Sequence, residues 1–255
     1  MSDFYERSDH HMHASINTAI FLTSIQNGNT QSDCLCTLVN QPIDNIEVRG
    51  ELFDTTTKDQ ELKAIGQLCH DNHWGLYYSI PEELFSNGQI NENLAEYLYM
   101  ADHYNINGLK ISLGDGTDIK SITLKRLSKQ LQTSKVKLTV ENQPNSNSEM
   151  PAFTEAVHRL LTLVPELGYT FDSGNWYWIN QRPETAFDSL EDVTSVFHLK
   201  DIEHQETVML DHGETEWRPM LNKLDRNVPV FLEYEIDSNK INNQIELVND
   251  ALSQR

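Results

Sequence analysis

The sequence predicts a single (β/α)8 barrel, the TIM-barrel fold, as one domain over residues 1–255. The length is the first observation, because eight βα units of such a barrel take about 250 residues. The second is the alternation of short apolar runs with amphipathic segments of helical period. The third separates the barrel from a doubly wound open sheet: no Gly-x-Gly-x-x-Gly follows a predicted strand.

Eight apolar runs rich in β-branched and aromatic residues predict the strands. In chain order they are 14–22, 43–51, 75–80, 108–113, 136–141, 168–172, 194–200 and 228–236. Apolar residues at i, i+3 and i+4 predict the clearest helices, at 59–72, 91–104, 119–131, 152–163 and 238–252. Strands that alternate with helices indicate a parallel sheet. No linker or repeat divides the chain, and we expect residues 1–13 to form a flexible N-terminal segment.

The charge of the chain limits its partners. Lys and Arg number 19 and Asp and Glu number 39, which gives a net charge of −20. This balance argues against nucleic-acid binding, because phosphates would be repelled. The sequence has no apolar run of about 18 residues, which argues against a membrane span, and no apolar signal core, so we expect a cytoplasmic protein. A homo-oligomer is left open.

Ionisable residues stand at the ends of four successive predicted strands. They are Glu141, Asp172, His198 and either Glu233 or Glu235. Barrel enzymes place their chemistry at these carboxyl ends, and a buried charge there costs several kcal/mol unless it is paired or metal-bound. Taken singly, each is ordinarily a loop carboxylate or a core histidine. Together, three carboxylates and an imidazole predict a site for one divalent metal ion, Mn²⁺, Mg²⁺, Co²⁺ or Zn²⁺.

The segments around these residues resemble the xylose isomerase-like TIM barrels, over roughly residues 43–236. The segments are Glu-Asn at 141–142, Thr-Phe-Asp-Ser-Gly-Asn at 170–175, Phe-His-Leu-Lys-Asp at 197–201 and Leu-Glu at 232–233. That superfamily includes sugar phosphate isomerases and epimerases, inosose dehydratase and AP endonuclease family 2-like proteins. The resemblance implies that Glu141, Asp172, His198 and Glu233 are the metal ligands. It also implies that Glu141 and Glu233 form the acid/base pair.

Polar residues near these strand ends are the substrate-binding candidates: Arg49, Lys110, Asn142, Asn175, Lys200 and His212. Many family members have histidine where this chain has Asn175, and asparagine cannot titrate near neutral pH. The other assignments have alternatives.

Alternation puts Glu47, Arg49 and Glu51 on one strand face. There Arg49 either binds a substrate carboxylate or phosphate or belongs to an internal ion-pair layer. Lys110 either faces substrate or neutralises Glu141, whereas Lys200 shares the face of His198.

Two further candidates stay open in the same way. Asn142 either binds substrate or fixes its loop, and His212 either lines the pocket or faces solvent.

These residues predict a metal-dependent isomerase or epimerase of a small sugar, sugar phosphate or hydroxy-keto acid. The expected reaction runs through a metal-stabilised enediolate, with Glu141 and Glu233 moving the proton. A dehydratase of the inosose dehydratase type and a non-catalytic carbohydrate-binding barrel are the alternatives. Phosphodiester hydrolysis is disfavoured, because only one of the four strand ends carries histidine and the net charge opposes DNA.

Overall fold

The computed structural model describes residues 12–116 and 118–255. Its strands are β1 (Ser15–Asn17), β2 (Asn45–Arg49), β3 (Gly75–Ser86), β4 (Gln89–Ile90), β5 (Gly108–Gly114), β6 (Lys137–Glu141), β7 (Leu167–Asp172), β8 (Thr194–Leu199), β9 (Asp201–Glu203), β10 (Glu206–Val208) and β11 (Val230–Leu232). Eight of them pair in parallel in the order β2-β1-β11-β8-β7-β6-β5-β3, and β2 also pairs with β3. This closing pair confirms the predicted (β/α)8 barrel.

Helices cover the outside of the barrel. They are α1 (Leu22–Gln26), α2 (Gln31–Leu35), α3 (Lys58–Asn72), α4 (Leu94–His103), α5 (Ser121–Leu131), α6 (Ala152–Leu163), α7 (Pro183–Asp188), α8 (Trp217–Lys223) and α9 (Ile241–Ser253). The five long ones, α3 to α6 and α9, overlap the five predicted helices. Each turns a buried apolar stripe towards the strands, as Leu124, Leu127 and Leu131 do on α5.

Three predicted strand lengths are wrong, two of them for evident local reasons. The first strand ends at Asn17, because the Asn17 side chain accepts a hydrogen bond from Ala19 N and starts a 3-10 helix at Thr18–Phe21. The third strand does not stop at residue 80. Its register to β5 shifts between Ile80 and Glu83, and the strand then continues to Ser86 and turns into β4. The predicted last strand, 228–236, is also too long, since β11 ends at Leu232.

The N-terminal prediction is only partly accessible. Residues 1–11 of the expected flexible segment 1–13 lie outside the described residues. His13 is described, and its backbone N–H donates to Asp44 Oδ2 at 2.7 Å. No helix in the described ranges is long and apolar enough to cross a membrane.

Candidate metal centre

Four side chains meet at the carboxyl ends of β6, β7, β8 and β11. They are Glu141, Asp172, His198 and Glu233, all buried, and one ligand atom from each lies within 4.8 Å of the others. Oxygen and nitrogen ligands stand about 2.0–2.6 Å from a divalent ion, so ligands of one ion are at most about 5 Å apart. The spacing therefore fits a single ion.

The His198 ring lies between carboxylates on both of its edges. Its Nδ1 is 3.0 Å from Glu141 Oε1 and 3.0 Å from Glu233 Oε2. Its Nε2 is 3.3 Å from Glu47 Oε1, a contact that lacks hydrogen-bond alignment. Nδ1 therefore faces the ligand carboxylates, and Glu47 closes the opposite edge. A carboxylate behind a metal-binding histidine fixes the ring and its tautomer.

Two lysines form salt bridges with the buried carboxylates of the cluster. Lys110 Nζ lies 2.8 Å from Glu141 Oε2. Lys200 Nζ lies 2.6 Å from Asp172 Oδ2 and 2.9 Å from Glu233 Oε2. Because these contacts are buried, each would cost several kcal/mol to break on one side only.

Arg49 completes this ring of charges at the mouth. Its Nη1 is 2.9 Å from Glu233 Oε1 and its Nε is 2.6 Å from Glu51 Oε1. The structure thus places Arg49 between two carboxylates, with 28% of its side chain exposed.

The charges shift the pKa values in ways that separate the acids. Burial alone would raise the pKa of Glu141, but Lys110 and His198 outweigh burial and lower the pKa to about 2. Burial and the neighbouring carboxylates raise the pKa of Asp172 to about 6, against the opposing effect of Lys200. Burial would lower the pKa of His198, yet Glu233 and Glu47 raise it well above its usual value. Burial opposes ionisation of Glu233 as well, but Lys200 and His198 lower its pKa well below the usual value, so Glu141 and Glu233 are both kept ionised.

The residues present fit a metal ion. Glu141 Oε1 is buried and has no hydrogen-bond partner, although it points at His198 Nδ1. An orphaned carboxylate oxygen of this kind is costly in a protein interior. Asp172 Oδ1 accepts from the backbone N–H groups of Gly174 and Asn175 at 2.8 and 3.0 Å, which aims Oδ2 at the cluster. A buried set of three carboxylates and one imidazole can hold a divalent ion.

The other candidates occupy different surroundings. Asn142 is fully buried, accepts from Asp172 N and Tyr169 Oη, and donates to Asp172 O, so it ties β6 to β7. Asn175 Nδ2 donates to Asn142 O at 2.8 Å. His212 is exposed on the loop after β10, where its N–H donates to Met209 O.

Glu235, the alternative to Glu233 as the fourth ligand, lies away from the cluster. It lies on the outside, where Thr23 N donates to its Oε1 at 3.1 Å.

Sequence reasoning missed two polar groups that shape the site. Asn17 Nδ2 donates to Glu47 Oε1 at 2.6 Å and to Glu233 Oε1 at 3.1 Å, and so joins β1 to the cluster. Glu83 lies beside Ser112 in register, and Ser112 lies beside Glu141, so Glu83 faces the same interior. Gln143 Nε2 donates to Glu83 Oε1 at 2.6 Å. The predicted first strand runs past Asn17 to residue 22 and the predicted third strand ends at residue 80, so neither Asn17 nor Glu83 stands at a predicted strand end.

The sequence matches no protein-family model and no curated protein. Many solved structures match the fold. A probable 3-DHS dehydratase involved in petrobactin synthesis in Bacillus anthracis is 15% identical with a TM-score of 0.69, covering 96% of this chain and 100% of its own. A xylose isomerase domain containing protein of Salmonella typhimurium is 13% identical with a TM-score of 0.69, covering 98% and 99%.

The chain has the fold of the xylose isomerase-like TIM barrels. The same fold is seen in D-psicose 3-epimerase of Clostridium cellulolyticum, 11% identical with a TM-score of 0.62, covering 95% of this chain and 98% of that one. The resemblance found in the sequence is thus confirmed at the level of the fold. These proteins are named as an epimerase, a dehydratase and a xylose isomerase domain protein, so the xylose isomerase-like fold alone does not choose among their reactions.

Proposed function

We propose that the protein is a metal-dependent isomerase or epimerase of a small carbohydrate or hydroxy-keto acid. One observation carries the proposal: Glu141 and Glu233 come from strands on opposite sides of β7 and β8, and both end within 3.0 Å of His198 Nδ1. Two carboxylates around one ion leave a substrate between them within reach of both. This arrangement suits a reaction in which a proton leaves carbon and returns to carbon.

The ligands would be Glu141, Asp172, His198 and Glu233. A divalent ion held there supplies Lewis acidity, which polarises a substrate carbonyl beside a hydroxyl. The identity of the ion follows from none of the distances, since oxygen-rich sites with one imidazole accept several divalent metals.

The chain's own groups then handle the proton. Glu141, whose pKa is lowered to about 2, is ionised and can accept the proton next to the carbonyl. Burial opposes ionisation of Glu233, but Lys200 and His198 lower its pKa well below the usual value, so this carboxylate is available on the other side. Lys200 Nζ already spans Asp172 and Glu233 and can donate a hydrogen bond to a substrate oxygen. If one carboxylate acts, the product is an isomer, and if both act, an epimer.

Proton exchange with solvent tests this function. Sugars, sugar phosphates and keto acids would be incubated with the protein and Mn²⁺ in D2O, freed of metal, and analysed by mass spectrometry. A substrate should gain deuterium at carbon, and the gain should disappear when the metal is chelated. Turnover of a compound with no deuterium in either substrate or product would contradict the enediolate route and favour a hydride shift.

A dehydratase is the second candidate. Its support is the similarity to the probable 3-DHS dehydratase, which extends over 96% of this chain and all of that one. The same first step, removal of a proton beside a carbonyl, precedes loss of a β-hydroxyl. The two functions differ in the product, because a dehydratase product is lighter by one water. A barrel that only binds carbohydrate would show neither exchange nor water loss.

A further inference from the structure

The outer face of α5 carries an unusual concentration of positive charge. Residues 119–140 contain six basic residues and no acidic one, in a chain with only 19 basic residues and a net charge of −20. On α5 itself, Lys125, Arg126 and Lys129 are exposed, and they surround Ile122, which is 72% exposed. The spacing i, i+3, i+4 and i+7 puts the four on one face. We name these four residues the α5 face.

The basic side chains of the α5 face have no acidic partner among the described residues. Across residues 12–116 and 118–255, no salt bridge involves Lys125, Arg126 or Lys129. Like charges at i, i+3 and i, i+4 destabilise a helix. Within the described residues, the mutual repulsion on the α5 face is therefore not relieved by any salt bridge.

A second surface carries negative charge and also places like charges next to each other. Residues 201–216 contain six acidic residues and no Lys or Arg. Within them β9 and β10 form an antiparallel hairpin in which Glu203 and Glu206 stand directly opposite each other, both exposed. Like charges in directly opposed cross-strand positions are destabilising. In the described part of the chain neither carboxylate has a salt bridge.

The two surfaces do not meet within one molecule. α5 connects β5 to β6, whereas the hairpin follows β8, two strands further around the barrel. No ion pair between them is present in the described residues. Other acids of residues 201–216 are already paired, Asp211 with Arg218 and Glu214 with Arg182. The α5 face and the pair of Glu203 and Glu206 thus carry unpaired charge of opposite sign at separate places in the described residues, and a second copy can bring them together.

We propose that the α5 face of one copy docks on the β9–β10 hairpin of a second copy. The contact is head-to-tail, because each copy contributes a different surface. A nucleic acid or an anionic membrane would also match the α5 face, but it would leave Glu203 and Glu206 unexplained. A second copy accounts for both clusters. The proposal goes beyond the proposed reaction and does not depend on it.

Sedimentation velocity on the full chain tests the proposal through charge reversal. The wild type should self-associate in 50 mM NaCl and weaken by about tenfold or more in 500 mM NaCl, because screening acts on exposed pairs. Lys125→Glu, Arg126→Glu and Lys129→Glu together should abolish association, and so should Glu203→Lys with Glu206→Lys. Mixing the two variants should restore it, since the reversed surfaces again complement each other.

A control variant separates local contact from net charge. The control combines Lys63→Glu on α3, Lys223→Glu on α8 and Lys240→Glu just before α9, and changes the net charge by the same amount as the α5 variant. Its association constant at low salt should differ from that of the wild type only by the general effect of net charge, to within about twofold. A monomeric wild type at low salt, an equal loss in the control, or a mixture that stays monomeric would each overturn the proposal. So would a wild type that is monomeric yet binds phosphatidylserine vesicles through the α5 face, which would assign that face to a membrane.

Discussion

The His198 imidazole has buried carboxylates at both of its ring nitrogens. Its Nδ1 edge faces Glu141 and Glu233, and its Nε2 edge faces Glu47 at 3.3 Å. Glu47 is itself fully buried and held by Asn17 Nδ2 at 2.6 Å. This chain of contacts places a carboxylate against the Nε2 edge of the imidazole. We therefore expect Glu47 to act as a positioning residue for the candidate metal centre.

Replacing Glu47 with Gln keeps the size of the side chain and removes its charge. We expect a loss of about 10–100-fold in metal affinity, the usual effect of altering a partner behind a metal-binding histidine. Calorimetric titration with Mn²⁺ measures it. Glu51→Gln is the matched control: Glu51 follows β2 in the 3-10 helix Gly50–Leu52, where it is exposed and, among the described residues, forms a salt bridge only with Arg49. Equal affinities in the wild type and Glu47→Gln would show that the ring is oriented without Glu47.

Glu141→Gln tests the proposed base. The amide keeps an oxygen ligand but cannot accept the proton, so turnover should fall by about 10²–10⁴-fold. Deuterium exchange into substrate should stop as well, whereas some metal binding should remain. Because Lys110 loses its charged partner, the melting temperature must be recorded beside activity. Exchange that continues while product formation stops would pass the role of first base to Glu233.

The candidate ligands could be predicted because each follows apolar strand residues in a fold whose sites lie at strand ends. The roles of Glu47 and Asn17 could not. Alternation fixes which face of a strand a residue occupies, but not which residue reaches across the barrel to it. Asn17 and Glu233 are 216 positions apart in sequence and share a hydrogen bond of 3.1 Å. Such pairs follow only from closure of the barrel.

At the scale of elements, β3 differs most from its predicted form. The predicted strand ends at residue 80, whereas β3 continues through Pro81 to Ser86. Its register to β5 shifts between Ile80 and Glu83, which marks a bulge that contains Pro81 and Glu82. The bulge turns Glu82 towards the start of α4, where Tyr97 Oη donates to Glu82 Oε1 at 2.6 Å. Bulges of this kind redirect side chains beside functional sites.

Glu82→Ala should loosen the junction of β3 and α4. Asn91 Nδ2 also donates to the Glu82 carboxylate, at 2.7 Å, so the variant leaves several hydrogen-bond donors without their acceptor. We expect a loss of about 1–3 kcal/mol in the free energy of unfolding, measured by urea denaturation. Glu92→Ala is the control, since Glu92 is exposed nearby. A loss equal to that of the control would mean that the bulge holds without this carboxylate.

The short elements were beyond the reach of periodicity. α1, α2, α7 and α8 have five to seven residues each, too few for an apolar repeat to show. The strands of the β9–β10 hairpin have three residues each, too few to show the apolar alternation by which the barrel strands were found. The long helices and the barrel strands were predictable because burial of one face imposes a period on the sequence.

The whole molecule combines an acidic exterior with an interior site of nearly balanced charge. Glu47, Glu141, Asp172 and Glu233 face three permanent cations, Arg49, Lys110 and Lys200, and the fourth positive charge is His198 as long as it stays protonated. Burial would remove the proton, but Glu233 and Glu47 raise the pKa of His198 well above its usual value. This shift favours the imidazolium in the metal-free site, whereas a metal ligand must be neutral.

Metal binding should therefore release a proton and tighten as the pH rises. The sign follows from the number of protons bound, because the metal-bound protein carries at least one proton fewer than the metal-free protein. Each rise of one pH unit should therefore increase the metal affinity by up to about tenfold, until the pH reaches the pKa of His198 in the metal-free protein. Titration with Mn²⁺ in two buffers of different ionisation enthalpy counts the protons released. At a free metal concentration about 100 times Kd, the gain of about 2.7 kcal/mol in the free energy of unfolding should raise Tm by roughly 5–10 °C in a chain of this size.

Asp172→Asn should reduce both the proton release and the rise in Tm on metal binding. The substitution removes one ligand charge, while the Oδ1 contacts with Gly174 and Asn175 can persist. If added metal leaves Tm unchanged between pH 6 and pH 8, the buried charges serve only to stabilise the fold and form no metal site.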